Sequence, residues 1–375
     1  MTERVLLIPG FFAFDEIGEL RYFLGVREAL EEAYAARGRD VRIHEVTTLP
    51  TASIRHRAAK VLDAAAALLD EGEGPLHLVG HSTGGLDARL AIAPTARLPS
   101  ERVHEGVLEH VRSVVSVSTP HGGSPLASFF ASAAGKPLLR LLTAMAALML
   151  EKGAIPTGVI VKLGDVWRRL DDLAGLRETA LDELYETVLS DLSEERRERI
   201  IGLLREIGDD TSLVFQLTPE GVDLLDAATG DPERTAYGCV VTRAPKPTLR
   251  TVGHLEHDVY AQWLHGLYVL LSTITARSRS DVTLQPHQRR ALEEGLGEVP
   301  PDEAHDGMVP VLSQLWGDVI GAVEADHLDV VGHYGDGETR ASDWLPSGSG
   351  FDREGFEDTW ARVADYQIRA SDAAG

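Results

Sequence analysis

Apolar and polar positions in the first third of the chain predict strands and helices in alternation. Short apolar runs predict strands that are buried on both faces, whereas apolar positions three or four residues apart predict amphipathic helices. The predicted strands are residues 5–9, 41–46, 76–79 and 111–118, and the predicted helices are residues 20–37, 53–69 and 85–91. Strands that alternate with helices in this way form a parallel sheet. The pattern therefore predicts an α/β fold, with a mostly parallel central sheet flanked by helices.

The pattern changes in the middle of the chain, where residues 126–234 contain predicted helices and no predicted strand. Residues 137–151 are apolar on nearly every side, and the later predicted helices carry many opposite charges four residues apart; they are residues 167–176, 179–192 and 194–206. We expect a helical cap inserted between two parts of one core, residues 1–125 and 235–375. Such a cap serves either as a lid over an apolar site or as a structural subdomain or oligomer contact.

The last third of the chain returns to the α/β pattern. Strands are predicted at residues 235–242 and 319–323, and helices at residues 249–277 and 354–368. Between residues 277 and 305, prolines and glutamates predict a loop.

Composition and charge exclude several classes of partner. The chain has 59 acidic and 36 basic residues and a formal net charge of −23, which argues against nucleic acids and anionic membrane surfaces. Cys239 is the single cysteine, so an intrachain disulfide is excluded. The start of the chain has no signal-peptide pattern, and the longest apolar run, residues 141–150, is too short to cross a bilayer. We therefore expect a cytoplasmic protein.

The strand at 76–79 leads into Gly80-His81-Ser82-Thr83-Gly84, which fits the G-x-S-x-G pattern of a nucleophile elbow. In this elbow, the serine lies on a strained turn between a strand and a helix. A Cβ atom two residues before or after it would collide with neighbouring backbone, which explains the two glycines. We expect Ser82 to be a nucleophile and the Thr83 N–H to bind an oxyanion. The alternative is a glycine-rich helix cap without a catalytic role.

Two further loops follow predicted strands and are candidates for the same site. Gly10 and Phe11 come after the first strand. Folds with a nucleophile elbow place the second oxyanion donor there, so the Phe11 N–H is our candidate. An ordinary turn with apolar packing is the alternative. His121 follows the strand at 111–118 and could face the site, because ligands bind at the carboxyl ends of such strands. A histidine that only ties down its own loop is the alternative there.

A serine nucleophile needs a histidine that accepts its proton and an acid that orients the histidine. In folds with this elbow, the three residues come in the order serine, acid, histidine. Asp306, before a glycine, and His327, after the strand at 319–323, satisfy both order and placement. The competing residues are Asp302, Asp318 and Asp326 for the acid and His333 for the histidine.

Six stretches of the chain resemble bacterial triacylglycerol lipases of the Pseudomonas/Burkholderia type, within the α/β-hydrolase superfamily. They occur in the family's order and are IPGFFAFD (8–15), VTTLPTASIR (46–55), LVGHSTGG (78–85), STPHGGS (118–124), HDGMVPVLSQLWG (305–317) and ADHLDVV (325–331). The resemblance implies an α/β-hydrolase fold with a large helical cap. It also implies that Ser82, Asp306 and His327 form a catalytic triad. The implied oxyanion donors are Phe11 and Thr83.

The resemblance has further consequences for single residues. Arg55 falls where the family has an arginine that steadies the oxyanion loop. Asp329 matches an aspartate that binds the family's structural calcium, but His333 replaces the next expected ligand and suits a hard cation poorly. Asp281 is a candidate for the missing aspartate. We expect no required cofactor, with a structural calcium ion near Asp329 as an optional addition.

The chain also departs from the family. The family is secreted, with a leader and usually a disulfide, and it has His-Gly where this chain has Pro9-Gly10. The helical insertion is longer and more charged than the family's lid.

The combined interpretation is a serine hydrolase that cleaves carboxylic esters through an acyl-enzyme intermediate. The expected partner is a small-molecule or lipid ester, including triacylglycerol. Action on polyesters, thioesters or phospholipids, or acyl transfer to an alcohol, is an alternative because the same triad serves them all. An inactive hydrolase fold that only binds a partner is a remote alternative.

Overall fold

One sheet of six parallel strands organises the chain. The computed structural model describes residues 2–11, 22–48, 52–102, 104–133, 135–152, 185–195, 197–198, 201–202, 212–247, 259–279, 282–335 and 343–374. The strands are β1 (Glu3–Ile8), β2 (Val41–Glu45), β3 (Leu76–His81), β4 (Val111–Val117), β5 (Ala236–Arg243) and β6 (Asp318–Glu324). Their order in the sheet is β2-β1-β3-β4-β5-β6, and every neighbouring pair is parallel. The predicted α/β class and its parallel sheet are therefore confirmed.

The sheet order reverses between β1 and β3, the point where open α/β sheets bind their ligands. Ile8, at the end of β1, pairs with Gly80, near the end of β3. The loop that follows β1 and the turn that follows β3 therefore start side by side at the carboxyl edge of the sheet.

Helices cover both faces of this sheet. In chain order they are α1 (Val26–Ala36), α2 (Ile54–Asp70), α3 (Thr83–Ile92), α4 (His104–Leu108), α5 (Pro125–Ala131), α6 (Lys136–Lys152), α7 (Ser212–Gln216), α8 (Pro219–Ala228), α9 (Val259–Thr275), α10 (Pro286–Leu296) and α11 (Arg353–Ala374). One apolar cluster joins α1 and α11 through Leu30, Tyr34 and Trp360, and a second joins α2 and α3 through Val61 and Ala88. Because both faces are covered, all six residues of β1 are buried, which explains why it has no polar alternation.

One predicted loop is wrong. The stretch between residues 277 and 305 contains α10, Pro286–Leu296. Pro286 occupies the first turn of the helix, where its missing N–H costs nothing, and Gln285 and Gln288 form a capping box. Gly297 ends the helix in the left-handed conformation, with φ of 75°. The residues that we interpreted as loop signals therefore mark the two ends of a helix.

The insertion between β4 and β5 is helical and contains no strand among the residues that the structure describes. Its helices α5 and α6 pack against α9 in an apolar cluster that includes Leu126, Phe130, Leu139, Leu264 and Tyr268. The predicted helix at 167–176 lies outside the described residues, as do parts of those at 179–192 and 194–206. The boundaries of the insertion at residues 126 and 234 stay a prediction. In the described part of the chain, we find no helix with the length and apolar character needed to span a membrane.

Candidate active site

Ser82 lies on the sharp turn that the sequence predicts between β3 and α3. It is not a glycine, yet its φ is 54° and its ψ is −127°, a strained conformation that costs about 1–3 kcal/mol. The two flanking glycines allow the turn. A Cβ atom on Gly80 would lie 2.3 Å from the backbone of Gly84, and one on Gly84 would lie 2.2 Å from the carbonyl oxygen of Ile8. The turn points the Ser82 hydroxyl above the carboxyl edge of the sheet.

The structure brings Ser82, His327 and Asp306 together from three separate loops. Nε2 of His327 is 3.0 Å from Oγ of Ser82, and Nδ1 of His327 is 2.8 Å from Oδ2 of Asp306. The carboxylate only accepts, so Nδ1 of His327 carries a hydrogen and Nε2 is free to accept the serine proton. Asp306 is fully buried, whereas Ser82 keeps 9% of its surface exposed toward the cleft. A serine nucleophile and its general base would require this arrangement.

Asp306 is held by four donors besides His327. Its Oδ1 accepts from the backbone N–H groups of Met308 and Val309, at 2.9 and 2.7 Å. Its Oδ2 accepts from the Thr242 hydroxyl at 3.0 Å and from Nε2 of Gln314 at 3.3 Å. The turn that supplies the two backbone donors passes through Gly307, with φ of 99°. Sequence reasoning missed Thr242 and Gln314, because neither residue type signals such a contact by its place in the sequence.

The competing residues have other partners. The Asp326 carboxylate accepts from the backbone N–H of Leu328 and from the Ser347 hydroxyl. Asp318 begins β6 and therefore lies at the opposite edge of the sheet, and Asp302 is exposed. Nε2 of His333 donates to the backbone oxygen of Tyr22 at 3.1 Å, and its ring stacks on Trp344. Of the four acids that we considered, Asp306 is the one whose carboxylate hydrogen-bonds to the His327 ring.

The two predicted oxyanion donors border the same cleft. Phe11 follows β1, Thr83 is the first residue of α3, and both line the cleft beside Ser82. Gly10 lies directly against the nucleophile, since a Cβ atom on Gly10 would be 2.8 Å from Cβ of Ser82. The start of α3 also favours negative charge, because its first N–H groups have no acceptor within the helix.

In the described part of the oxyanion loop, the arginine that contacts the backbone is Arg57, and our assignment of Arg55 is wrong. Nη2 of Arg57 donates to the carbonyl oxygen of Pro9 at 2.8 Å, and Nε donates to Asp87 at 2.8 Å. Arg55 lies on the exposed side of α2, where its Nε donates to the carbonyl oxygen of Arg97. Residues two positions apart on a helix point to nearly opposite sides, so a match shifted by two residues selects the wrong side chain. Burial raises the pKa of Asp87 to about 6, and Arg57 opposes the shift.

His121 ties down its own loop. Its Nε2 lies 2.9 Å from Oγ of Ser116, and its ring stacks on Trp316 with centroids 5.0 Å apart. Arg89 approaches its Nδ1 at 3.3 Å. Burial, together with the charge of Arg89, holds the pKa of His121 well below its ordinary value, so the ring is neutral. These contacts fit the structural interpretation of this residue.

Three aspartates near His327 could hold a metal ion. Asp326, Asp329 and Asp343 each offer a carboxylate oxygen, and these oxygens lie within 4.8 Å of one another. Burial raises the pKa of Asp329 to about 7 and that of Asp343 to about 6. A cluster of two buried carboxylates and one partly buried carboxylate suits a hard divalent cation such as calcium. Asp281 lies outside the described residues, and His333 is occupied by the contacts given above.

The cleft beside Ser82 is lined mainly by apolar side chains. The core contributes Met308 and Val309 to it. The helices of the insertion contribute Leu126, Ala127, Phe130, Leu139 and Val214. The lining therefore offers few groups that could bind a charged or strongly polar substrate chain.

Known proteins resemble the chain in both sequence and structure. No protein-family model matches it. A triacylglycerol lipase from Pseudomonas fragi is 34% identical over 130 residues, which cover 33% of this chain and 36% of that lipase. Among solved structures, the Staphylococcus hyicus lipase aligns over 99% of this chain and 96% of its own, with a TM-score of 0.54 and 16% identity. EstA from Clostridium botulinum aligns over 92% of this chain and 86% of its own, with a TM-score of 0.51 and 19% identity.

These matches confirm the predicted fold class and the predicted resemblance to a lipase family. The structural alignments cover nearly the whole chain, and they confirm the predicted fold class. The sequence match spans little more than a third of its relative, and within that span it confirms the resemblance to a bacterial triacylglycerol lipase. The chain therefore has the α/β-hydrolase fold of these bacterial lipases and esterases, and part of it is similar in sequence to a triacylglycerol lipase.

Proposed function

We propose that the protein is a serine hydrolase that cleaves carboxylic esters through an acyl-enzyme intermediate. The observation that carries this proposal is the row of contacts from Ser82 to His327 at 3.0 Å and from His327 to Asp306 at 2.8 Å. The similarity to a triacylglycerol lipase supports the same class of reaction.

The mechanism follows from these positions. The Ser82 hydroxyl attacks the ester carbonyl while Nε2 of His327 takes its proton, and Asp306 stabilises the imidazolium that forms. The backbone N–H groups of Phe11 and Thr83 bind the oxygen that becomes negative, and each such donor contributes on the order of 3 kcal/mol. His327 then gives the proton to the leaving alcohol. A water molecule, activated by His327 in the same way, releases the acid and restores Ser82.

The apolar lining of the cleft supports substrates with a hydrocarbon acyl chain, including triacylglycerol and other lipid-like esters. We propose that residues 126–234 form a cap over this cleft, since the helices of this segment supply Leu126, Phe130 and Leu139 to its wall. Polyester, thioester and phospholipid hydrolysis, and acyl transfer, use the same triad and stay alternatives. Rates on p-nitrophenyl esters of increasing acyl length test the assignment, because a preference for chains shorter than about five carbons counts against a lipase.

The steps described above use only groups of the protein, the ester and water. Asp326, Asp329 and Asp343 would hold a calcium ion, whose charge would offset the repulsion among their carboxylates. Because Asp326 precedes His327 and Asp329 follows it by two residues, such an ion would stabilise the loop that carries the general base. The cytoplasmic location stays a prediction.

The decisive experiment compares the wild type with Ser82→Ala. We expect the wild type to hydrolyse p-nitrophenyl esters and to react covalently with a fluorophosphonate, and the variant to do neither while it melts at a similar temperature. Equal turnover by the variant would show that the assignment of Ser82 is wrong. A folded wild type that reacts with neither reagent would favour the alternative of an inactive binding protein.

A further inference from the structure

Tyr22 lies where the oxyanion loop meets the turn that carries Ser82. Its phenol oxygen is 2.6 Å from Nδ1 of His81. A Cβ atom on Gly10 would lie only 2.6 Å from the same oxygen. Tyr22 therefore packs directly against the backbone that precedes Phe11, one of the two proposed oxyanion donors.

The other side of His81 contacts the backbone of the proposed general base. Nε2 of His81 is 2.8 Å from the carbonyl oxygen of His327, and the two ring centroids are 4.8 Å apart. The backbone N–H of His327 donates to the carbonyl oxygen of Asp306 at 2.9 Å. The main chain of His327 is therefore held on one side by the triad acid and on the other by the residue that precedes the nucleophile.

The direction of each hydrogen bond follows from its partners. A carbonyl oxygen only accepts, so Nε2 of His81 carries the hydrogen and donates to His327. Burial, together with the nearby His327, holds the pKa of His81 well below its ordinary value, so the ring is neutral and its Nδ1 accepts from Tyr22. The two donors thus point the same way, from Tyr22 to His81 and from His81 to His327. Hydrogen bonds aligned in this way strengthen one another.

We propose that Tyr22 and His81 are positioning residues that couple the oxyanion loop to the backbone of His327. The inference rests on the proposed function, because these contacts connect a proposed oxyanion donor to the proposed general base. These two groups must act in the same step, one on the carbonyl oxygen and the other on the Ser82 proton, and a displacement of one ångström costs about a hundredfold in rate. The coupling fixes the distance between them before a substrate arrives.

Three variants test the individual hydrogen bonds that connect Tyr22, His81 and His327. Tyr22→Phe removes the hydroxyl and keeps the ring. His81→Gln places an amide near the position of Nε2 and so keeps a donor for His327, whereas His81→Asn places its amide near Nδ1 and loses that donor. Tyr34→Phe is the matched control, because Tyr34 donates to Gln367 at 2.8 Å in the buried cluster between α1 and α11, away from the cleft.

We expect Tyr22→Phe to lower kcat on a p-nitrophenyl ester by roughly tenfold to a hundredfold, with KM within about twofold of the wild-type value. His81→Asn should lose at least as much, and His81→Gln should recover part of the loss. The double variant Tyr22→Phe/His81→Asn should be no slower than His81→Asn alone, since both changes break one network. Tyr34→Phe should lower the melting temperature and leave kcat unchanged.

The outcomes separate this inference from the proposed function. If hydrolysis depends on Ser82 but Tyr22→Phe keeps the wild-type kcat, the coupling is wrong and the proposed function stands. If the wild type shows no hydrolysis that depends on Ser82, the proposed function is wrong, and the coupling is judged from histidine side-chain ¹⁵N spectra. A shift of the His327 signals in Tyr22→Phe, but not in Tyr34→Phe, supports the coupling. Unchanged His327 signals in both variants overturn it.

Discussion

Arg57 and Asp87 form an ion pair that is fully excluded from solvent, with Nε of the arginine 2.8 Å from Oδ2 of the aspartate. Asp87 lies on α3, the helix that begins at the nucleophile, and the same guanidinium donates to the carbonyl oxygen of Pro9. The pair therefore joins the nucleophile's helix to the loop that carries the Phe11 N–H. A buried pair of this kind adds little net stability by itself, but it fixes the relative position of the segments that it joins.

The first prediction concerns this pair. Arg57→Met should lower the free energy of unfolding by about 3–5 kcal/mol, because it leaves the Asp87 carboxylate buried without a partner. Arg55→Met is the control on the same helix, and its effect should stay within about 0.5 kcal/mol. The double variant Arg57→Met/Asp87→Leu should recover stability but not kcat, since the anchor to Pro9 is still missing. Urea unfolding and ester hydrolysis measure both effects, and full recovery of kcat would contradict a positioning role for Arg57.

The second prediction concerns the support of the triad acid. Thr242→Val keeps the shape of the side chain but removes a donor to Oδ2 of Asp306, so kcat should fall roughly tenfold. Thr273→Val is the control, because Thr273 is exposed on α9 and donates to the carbonyl oxygen of Val269 within its own helix. Steady-state kinetics on the two variants measure the difference. Equal rates for both would show that Asp306 is oriented without Thr242.

The third prediction concerns the acyl-binding cleft. Ala127, on α5, lines this cleft, so Ala127→Phe should move the preferred p-nitrophenyl ester toward shorter acyl chains by filling part of the space. Ser128→Phe is the matched control, because the neighbouring Ser128 is exposed and faces away from the cleft. Both variants are compared over a series of acyl lengths. If their preferences shift equally, the acyl chain does not bind where we propose.

The fourth prediction concerns the cluster of Asp326, Asp329 and Asp343. The folded state raises the pKa of Asp329 from 3.8 to about 7, so it binds a proton that the unfolded state releases between those values. Without calcium, stability should therefore fall as pH rises from about 4 to about 7. Added calcium should raise the melting temperature near neutral pH. We expect Asp343→Asn to reduce both effects, because it removes one charge and one ligand from the cluster.

Differential scanning fluorimetry over this pH range, with and without calcium chloride, tests the fourth prediction. The control variant is Asp352→Asn, an exposed aspartate on the loop before α11. Calcium that stabilises Asp343→Asn as much as the wild type would place the ion elsewhere on the protein.

Local sequence signals predicted the sheet and the turn that carries Ser82. Strands such as β1 and β3 are continuous apolar runs because the sheet is covered on both faces, and the glycines beside Ser82 reflect close contacts with backbone. Asp306 and His327 were found from chain order and from their place after strands. These features depend on neighbours in the sequence or on the topology of the sheet, so the sequence alone contains them.

Contacts between distant segments were not predictable in this way. Thr242 and Gln314 support Asp306, and Tyr22 reaches His81 across 59 positions of sequence, but an isolated Thr, Gln or Tyr gives no sign of its partner. Arg57 was missed for a related reason. The register of α2 decides which of two nearby arginines faces inward, and the buried partner that selects Arg57 is Asp87, on another helix.

The pairing of Ile8 with Gly80 fixes the distance between two segments of the site. The loop that ends in Phe11 and the turn that presents Ser82 leave the sheet from hydrogen-bonded neighbours, so their starting points are one strand spacing apart, about 4.8 Å. Thermal fluctuations of the sheet therefore carry both segments together. The distance between the two segments therefore depends on the hydrogen bonds of the sheet and not on the helices that line the cleft.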